Sequence, residues 1–183
     1  MKFYHGSKAS NIEMLLTQHS GDGFVYVTSS YLVALCYASR YVLNMFHFDK
    51  TKNKVIFQEV KPNYFQELTL NKEAYIYELE QKDYQEVAQA YNVCAHPHCY
   101  KTSENVRVVN KKHIKNLFEE FIPFIESGEL EIKKYESLSP VQQKQLKENI
   151  RFAFKNKLEK HNFNNKEEEK YLLDIISWCY LSL

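Results

Sequence analysis

Three short groups of residues near the start of this 183-residue chain carry its most informative residue types and spacings. They are Tyr4-His5-Gly6-Ser7, then Val25-Tyr26-Val27-Thr28, then Tyr37 within Ala34-Leu35-Cys36-Tyr37-Ala38, eleven residues after Tyr26. Two aromatic faces hold a flat heteroaromatic ring by offset stacking, and a glycine lets backbone approach a ligand closely. A fourth group, Cys94-Ala95-His96-Pro97-His98-Cys99, crowds four metal-ligand side chains into six residues. Zinc sites usually draw two short-spaced pairs from separate segments so that a loop closes a tetrahedron. No partner pair exists here, so the segment reads as an ordinary loop and no metal is expected. A Cys/His dyad drawn from it would lack a group to orient the imidazole.

Taken in order, His5-Gly6-Ser7, Tyr26 and Tyr37 resemble the NAD-binding half of the ADP-ribosyltransferase superfamily, in the branch typified by diphtheria toxin and poly(ADP-ribose) polymerases. The resemblance spans about residues 3–41. It implies a split β-sheet core, NAD as substrate, and transfer of ADP-ribose to an unidentified macromolecular or small acceptor, in a bacterial-type protein. His5, Gly6, Ser7, Tyr26 and Tyr37 would form the NAD-binding set, with Tyr26 and Tyr37 flanking the nicotinamide, the Gly6 backbone holding its carboxamide and His5 on a ribose hydroxyl. Breaking the nicotinamide–ribose bond leaves an oxocarbenium-like sugar, which a carboxylate stabilises. Glu104, opening the run Glu104-Asn105-Val106-Arg107-Val108, is the expected carboxylate, so His5, Tyr26 and Glu104 would be catalytic; Glu59 and Glu78 lie on other expected strands. Ala34 stands where some relatives carry a serine, and no Glu-x-Glu pair appears near Glu104. A noncatalytic nucleotide-binding or interaction module of the same fold is therefore the rival reading.

The elements that would position these residues follow from local pattern. Strands are expected at 2–5, 24–27, 55–60, 74–79, 105–109 and 129–135, where β-branched and aromatic residues cluster between turn signals. Thr28, Ser29 and Ser30 offer hydroxyls to start a helix over 31–46 that is apolar on nearly every face. Tyr64 to Leu70 suggests a helical turn, and Asp83 to Tyr91 a short helix. Asn110 is expected to cap a helix carrying Ile114, Leu117, Phe118, Phe121, Ile122 and Ile125, kinked or ended by Pro123. Lys111, Lys112, His113 and Lys115 would then lie at that helix's start, either as a solvated face or against the phosphates of a dinucleotide. From Ser139-Pro140 onward the pattern is helical only, first along Leu146, Ile150, Phe154 and Leu158, then from Asn165 to Trp178. The reading is α+β, with a core over 1–135 and a C-terminal helical pair over 136–183 packed on it.

Composition excludes several classes. With 24 Lys+Arg against 23 Asp+Glu the net charge is +1, too small to steer the chain onto bulk nucleic acid or anionic lipid. Arg supplies only Arg40, Arg107 and Arg151, which argues against a nucleic-acid reader. No run approaches the ~18 apolar residues that span a bilayer, and the N-terminus lacks the pattern of a secretion signal. Cys36, Cys94, Cys99 and Cys179 are accordingly expected as reduced thiols in the cytoplasm.

Overall fold

Alternating side chains set the first strands, in a computed structural model that describes residues 1–39, 45–87, 98–159 and 166–181. Strand β1 (Phe3–Ser7) sends Phe3 to one face of the sheet and Tyr4 to the other. Strand β3 (Val25–Thr28) sends Val25 and Val27 to the Phe3 face. Between them lie a two-residue strand, β2 (Met14–Leu15), and a 3-10 turn (Thr17–His19). With β6 (Ala74–Leu79), β7 (Gln85–Glu86), β8 (Cys99–Thr102) and β9 (Val106–Ile114) they form a seven-stranded sheet in the order β2-β9-β6-β1-β3-β8-β7. Every neighbouring pair in it is antiparallel. A second sheet orders β10 (Leu130–Lys133), β5 (Lys54–Gln58) and β4 (Phe46–Asp49), with β10 and β5 parallel.

Five α-helices complete the described residues: α1 (Tyr31–Ala38), α2 (Tyr64–Thr69), α3 (Leu117–Glu126), α4 (Pro140–Glu159) and α5 (Lys166–Leu181). The fold is thus mixed α+β with mostly antiparallel strands, and no described helix is long and apolar enough to cross a membrane. The larger core packs α1, α2 and α3 between the two sheets around Leu35, Phe57, Phe65, Leu117 and Phe121. Ile150, Phe154, Leu172, Ile175 and Cys179 of the helical pair α4–α5 belong to that same core. A smaller core on the opposite sheet face holds Phe3, Val25, Val27, Tyr77, Leu79 and Val106, covered in part by Ile12 and Leu15.

Helix α1 is buried on most sides as its composition predicts, yet it stops at Ala38. Ser30 caps its start by accepting the Val33 N–H at 3.3 Å, and Ser39 ends it, its hydroxyl donating to the Cys36 carbonyl at 3.0 Å. The rest of the expected helix, 40–44, falls outside the described residues, and Phe46 already belongs to β4.

Further expectations are corrected. Asn110 caps no helix: β9 continues to Ile114 because residues 110–114 pair with 74–78 of β6, Tyr77 beside Lys111 and Tyr75 beside His113. The helix begins only at Leu117, after Asn116. The apolar spacing from Ile114 onward suits either reading, and the long cross-strand pairing decides. Around Asp83, Gln85–Glu86 form an edge strand on β8 in place of a helix, and 88–91 are outside the described residues. Helix α3 also runs through Pro123 to Glu126 without ending there.

Candidate functional site

Gly6 shows first what it does for the fold. A Cβ on this residue would lie 1.8 Å from the Ala34 carbonyl oxygen and 2.8 Å from the Ala38 nitrogen, so α1 rests directly on β1. Its lack of a side chain is required by helix packing, before any ligand is considered. Strand β1 pairs antiparallel with β3 at Tyr4 and Thr28, and beyond that pair Gly6 and Tyr26 line one pocket. Tyr37, one residue short of the end of α1, comes down beside them. His5, Gly6, Tyr26, Tyr37, Cys99 and Tyr100 are among the residues that line a pocket of about 70 Å³.

A larger cleft of about 420 Å³ adjoins this inner pocket. Its lining includes Asn11, Glu13, Leu16 and His19, and it shares His5 and Tyr26 with the inner pocket. The outer cleft has the size of small-molecule sites, which run to roughly 300–1,000 Å³; the inner pocket does not. Tyr26 is 40% exposed and stands at the junction. Its hydroxyl donates to Asp22 Oδ2 at 2.5 Å, so its one proton is committed.

Burial pushes the His5 pKa below its ordinary value of 6.5, against a smaller opposing effect from the hydrogen bond its ring makes to the Tyr26 backbone. The imidazole is therefore neutral at pH 7. With its N–H given to that backbone, the second ring nitrogen is left as an acceptor, the right polarity for a sugar hydroxyl. Ser7 follows at the strand end, and its hydroxyl accepts the Ala9 N–H at 3.1 Å, shaping the turn that leads to the outer cleft.

The structure brings His5, Gly6, Tyr26 and Tyr37 together and leaves Glu104 elsewhere. Glu104 sits in the bend between β8 and β9, 61% exposed, paired with Lys82 at 2.8 Å, and it lines neither cavity. Glu78 pairs with Lys2 at 3.0 Å. Glu59 is wholly buried and accepts the Phe65 N–H at 3.1 Å and the Tyr135 N–H at 3.3 Å, a structural duty. The carboxylate lining the outer cleft is Glu13.

Cys94, His96 and Pro97 lie outside the described residues. The His98 carbonyl accepts from the Ser29 N–H at 3.0 Å and the Thr28 hydroxyl at 2.7 Å, tying this segment to the start of α1. Cys99 is buried in the inner pocket wall, opposite Thr28. Among the described residues no group of three or more His, Cys, Asp or Glu could hold a metal ion.

Lys111, Lys112 and His113 are on a strand and not at a helix start. Lys112 donates to Glu120 at 2.8 Å and to the Tyr31 hydroxyl at 3.0 Å; Lys111 donates to the Ser10 carbonyl at 3.1 Å; His113 meets Glu73 at 3.0 Å. These contacts join the sheet to its neighbours, and none of the three lines either cavity.

Sequence reasoning missed Asp22, Cys99 and Tyr100. Asp22 was legible in part, as a turn residue between two glycines four positions before Tyr26. The other two reach the pocket only through the pairing of β3 with β8. Compared with models of known families, with curated proteins and with solved structures, the chain matches none.

Proposed function

We propose that this chain is an ADP-ribosyltransferase-like protein that binds NAD with its nicotinamide between Tyr26 and Tyr37. The observation that carries the proposal is the meeting of His5, Gly6, Tyr26 and Tyr37 at one pocket, from two strands and a helix. In the reaction the bond from nicotinamide nitrogen to ribose C1′ breaks, the nicotinamide leaves with the electron pair, and an acceptor nucleophile bonds C1′. Aromatic faces would hold the leaving ring, and the free His5 nitrogen would accept from a ribose hydroxyl. The architecture of two sheets with α1 laid across β1 is compatible with the split-sheet core of that superfamily.

A second reading, a noncatalytic NAD-binding module, is favoured by a specific observation. The inner pocket has no carboxylate in its lining, and Glu104 is held by Lys82 away from it. Calorimetry and thermal melting with NAD and with nicotinamide test the shared part of both readings. Ligand at a hundredfold excess over Kd should stabilise the fold by ~2.7 kcal/mol, and Tyr37→Ala should remove the effect. No heat and no melting shift at millimolar NAD would refute both. NAD hydrolysis separates them: turnover by wild type supports transfer chemistry, whereas binding without turnover supports the module.

A further inference from the structure

We infer that Asp22 and Tyr26 form a latch that keeps the inner pocket closed to a flat ring until the phenol swings outward; the role as a gate rests on the NAD-binding reading above. An apolar cavity that takes up benzene measures about 150 Å³, and the inner pocket has about half of that. One of its walls must move before a nicotinamide-sized ring lies inside. Gly6 is pinned under α1 by backbone contacts, and Val27, Thr28 and Cys99 are buried strand residues. Tyr26 is the wall that stands 40% exposed, and beyond it lies the outer cleft of about 420 Å³, into which a ring can turn.

Asp22 is built to hold that wall. Gly23 at φ 77° turns the chain back after Asp22, and the Gly23 N–H closes the turn on the Ser20 carbonyl at 3.4 Å. The Asp22 carboxylate then accepts from the Phe24 N–H at 3.3 Å through Oδ1 and from the Tyr26 hydroxyl at 2.5 Å through Oδ2. One carboxylate thus ties the turn's own backbone to the phenol. The bond is charge-assisted and short, yet exposed to water, so its net worth is that of a latch rather than a permanent bolt.

Stopped-flow binding of nicotinamide and NAD to wild type, Asp22→Ala, Tyr26→Phe, the double variant and Tyr26→Ala tests the inference. Asp22→Ala and Tyr26→Phe each release the latch while keeping the ring, and each should speed association roughly three- to tenfold. The double variant should be no faster than either, because both remove one interaction. Tyr26→Ala, which removes the ring itself, should weaken binding. Tyrosine-ring NMR of ligand-free protein supplies a second readout, with the Tyr26 ring losing its fixed environment in Asp22→Ala while the melting temperature holds. Unchanged or slower association in Asp22→Ala, or additive effects in the double variant, would overturn the latch and leave NAD binding standing. Failure of every variant to bind either ligand would overturn the gate together with the proposed function, whereas an Asp22→Ala ring spectrum identical to wild type would refute the latch alone.

Discussion

His5 is the residue at which the candidate site touches stability. Its folded pKa lies below 6.5, mainly because burial disfavours the imidazolium. As pH falls through about 6.5 the unfolded chain takes up a proton that the folded chain resists, so stability is full above that value and declines below it until the folded pKa is reached. His47 is shifted the same way, by burial and then by Lys133, and adds a parallel loss. Urea unfolding at about pH 7.5 and about pH 5.5 should therefore show wild type losing stability on acidification and His5→Gln losing less. Equal losses in the two proteins would mean that His5 is solvated in the folded state. At this scale the sequence was informative about residue types: a histidine beside a glycine, and two tyrosines eleven apart, do reach one pocket. It was not informative about the carboxylate. Glu104 lies in the bend that precedes β9, and that bend carries it to Lys82.

Elements are joined here by polar side chains that their own segments do not reveal. Glu59, just past β5, accepts backbone N–H groups from α2 and from the 3-10 turn after β10, with Lys134 Nζ at 3.5 Å. Removing a buried acceptor orphans its donors as well as losing the bonds. Glu59→Ala should cost about 3 kcal/mol in urea unfolding, and Glu59→Gln, which keeps an acceptor oxygen, roughly half of that. Neither should alter NAD affinity, since Glu59 lines neither cavity; a loss of less than about 1 kcal/mol in Glu59→Ala would contradict this account. The same scale explains the misread start of α3. The apolar spacing from Ile114 onward placed Lys111, Lys112 and His113 at a helix start, but pairing with β6 satisfies their backbone as strand, and Lys112 lies against Glu120.

The whole molecule ties its C-terminal helices to the core that lies behind the site. Leu172, Ile175 and Cys179 of α5 are fully buried in the same cluster as Phe57 and Phe121. Trp178 packs edge-on to Tyr135 at 5.0 Å, and the Tyr171 hydroxyl is hydrogen-bonded to that of Tyr64. A chain ending at Leu138 would leave that apolar surface open, and at roughly 1.5–3 kcal/mol for each large buried apolar side chain the loss is comparable to the whole stability of a marginally stable fold. The truncated protein is expected to show no cooperative thermal transition, while the full chain melts in one step. Two separate transitions in the full chain would instead mark 136–183 as an independent unit.

Turns, caps and alternation were determined by the sequence itself, because each depends on neighbours a few residues away. Ser30 at the start of α1, Gly128 after α3 and Pro140 opening α4 behave as local chemistry requires. The tertiary structure alone decided which distant residues meet. The β3–β8 pairing puts Cys99 and Tyr100 beside Tyr26, the β6–β9 pairing turns an expected helix start into strand, and the packing of α2 and β10 against β5 buries Glu59. The physical reason is that strand register and helix docking are set by contacts between segments tens of residues apart, whose energies outweigh the small local preferences that a single sequence displays.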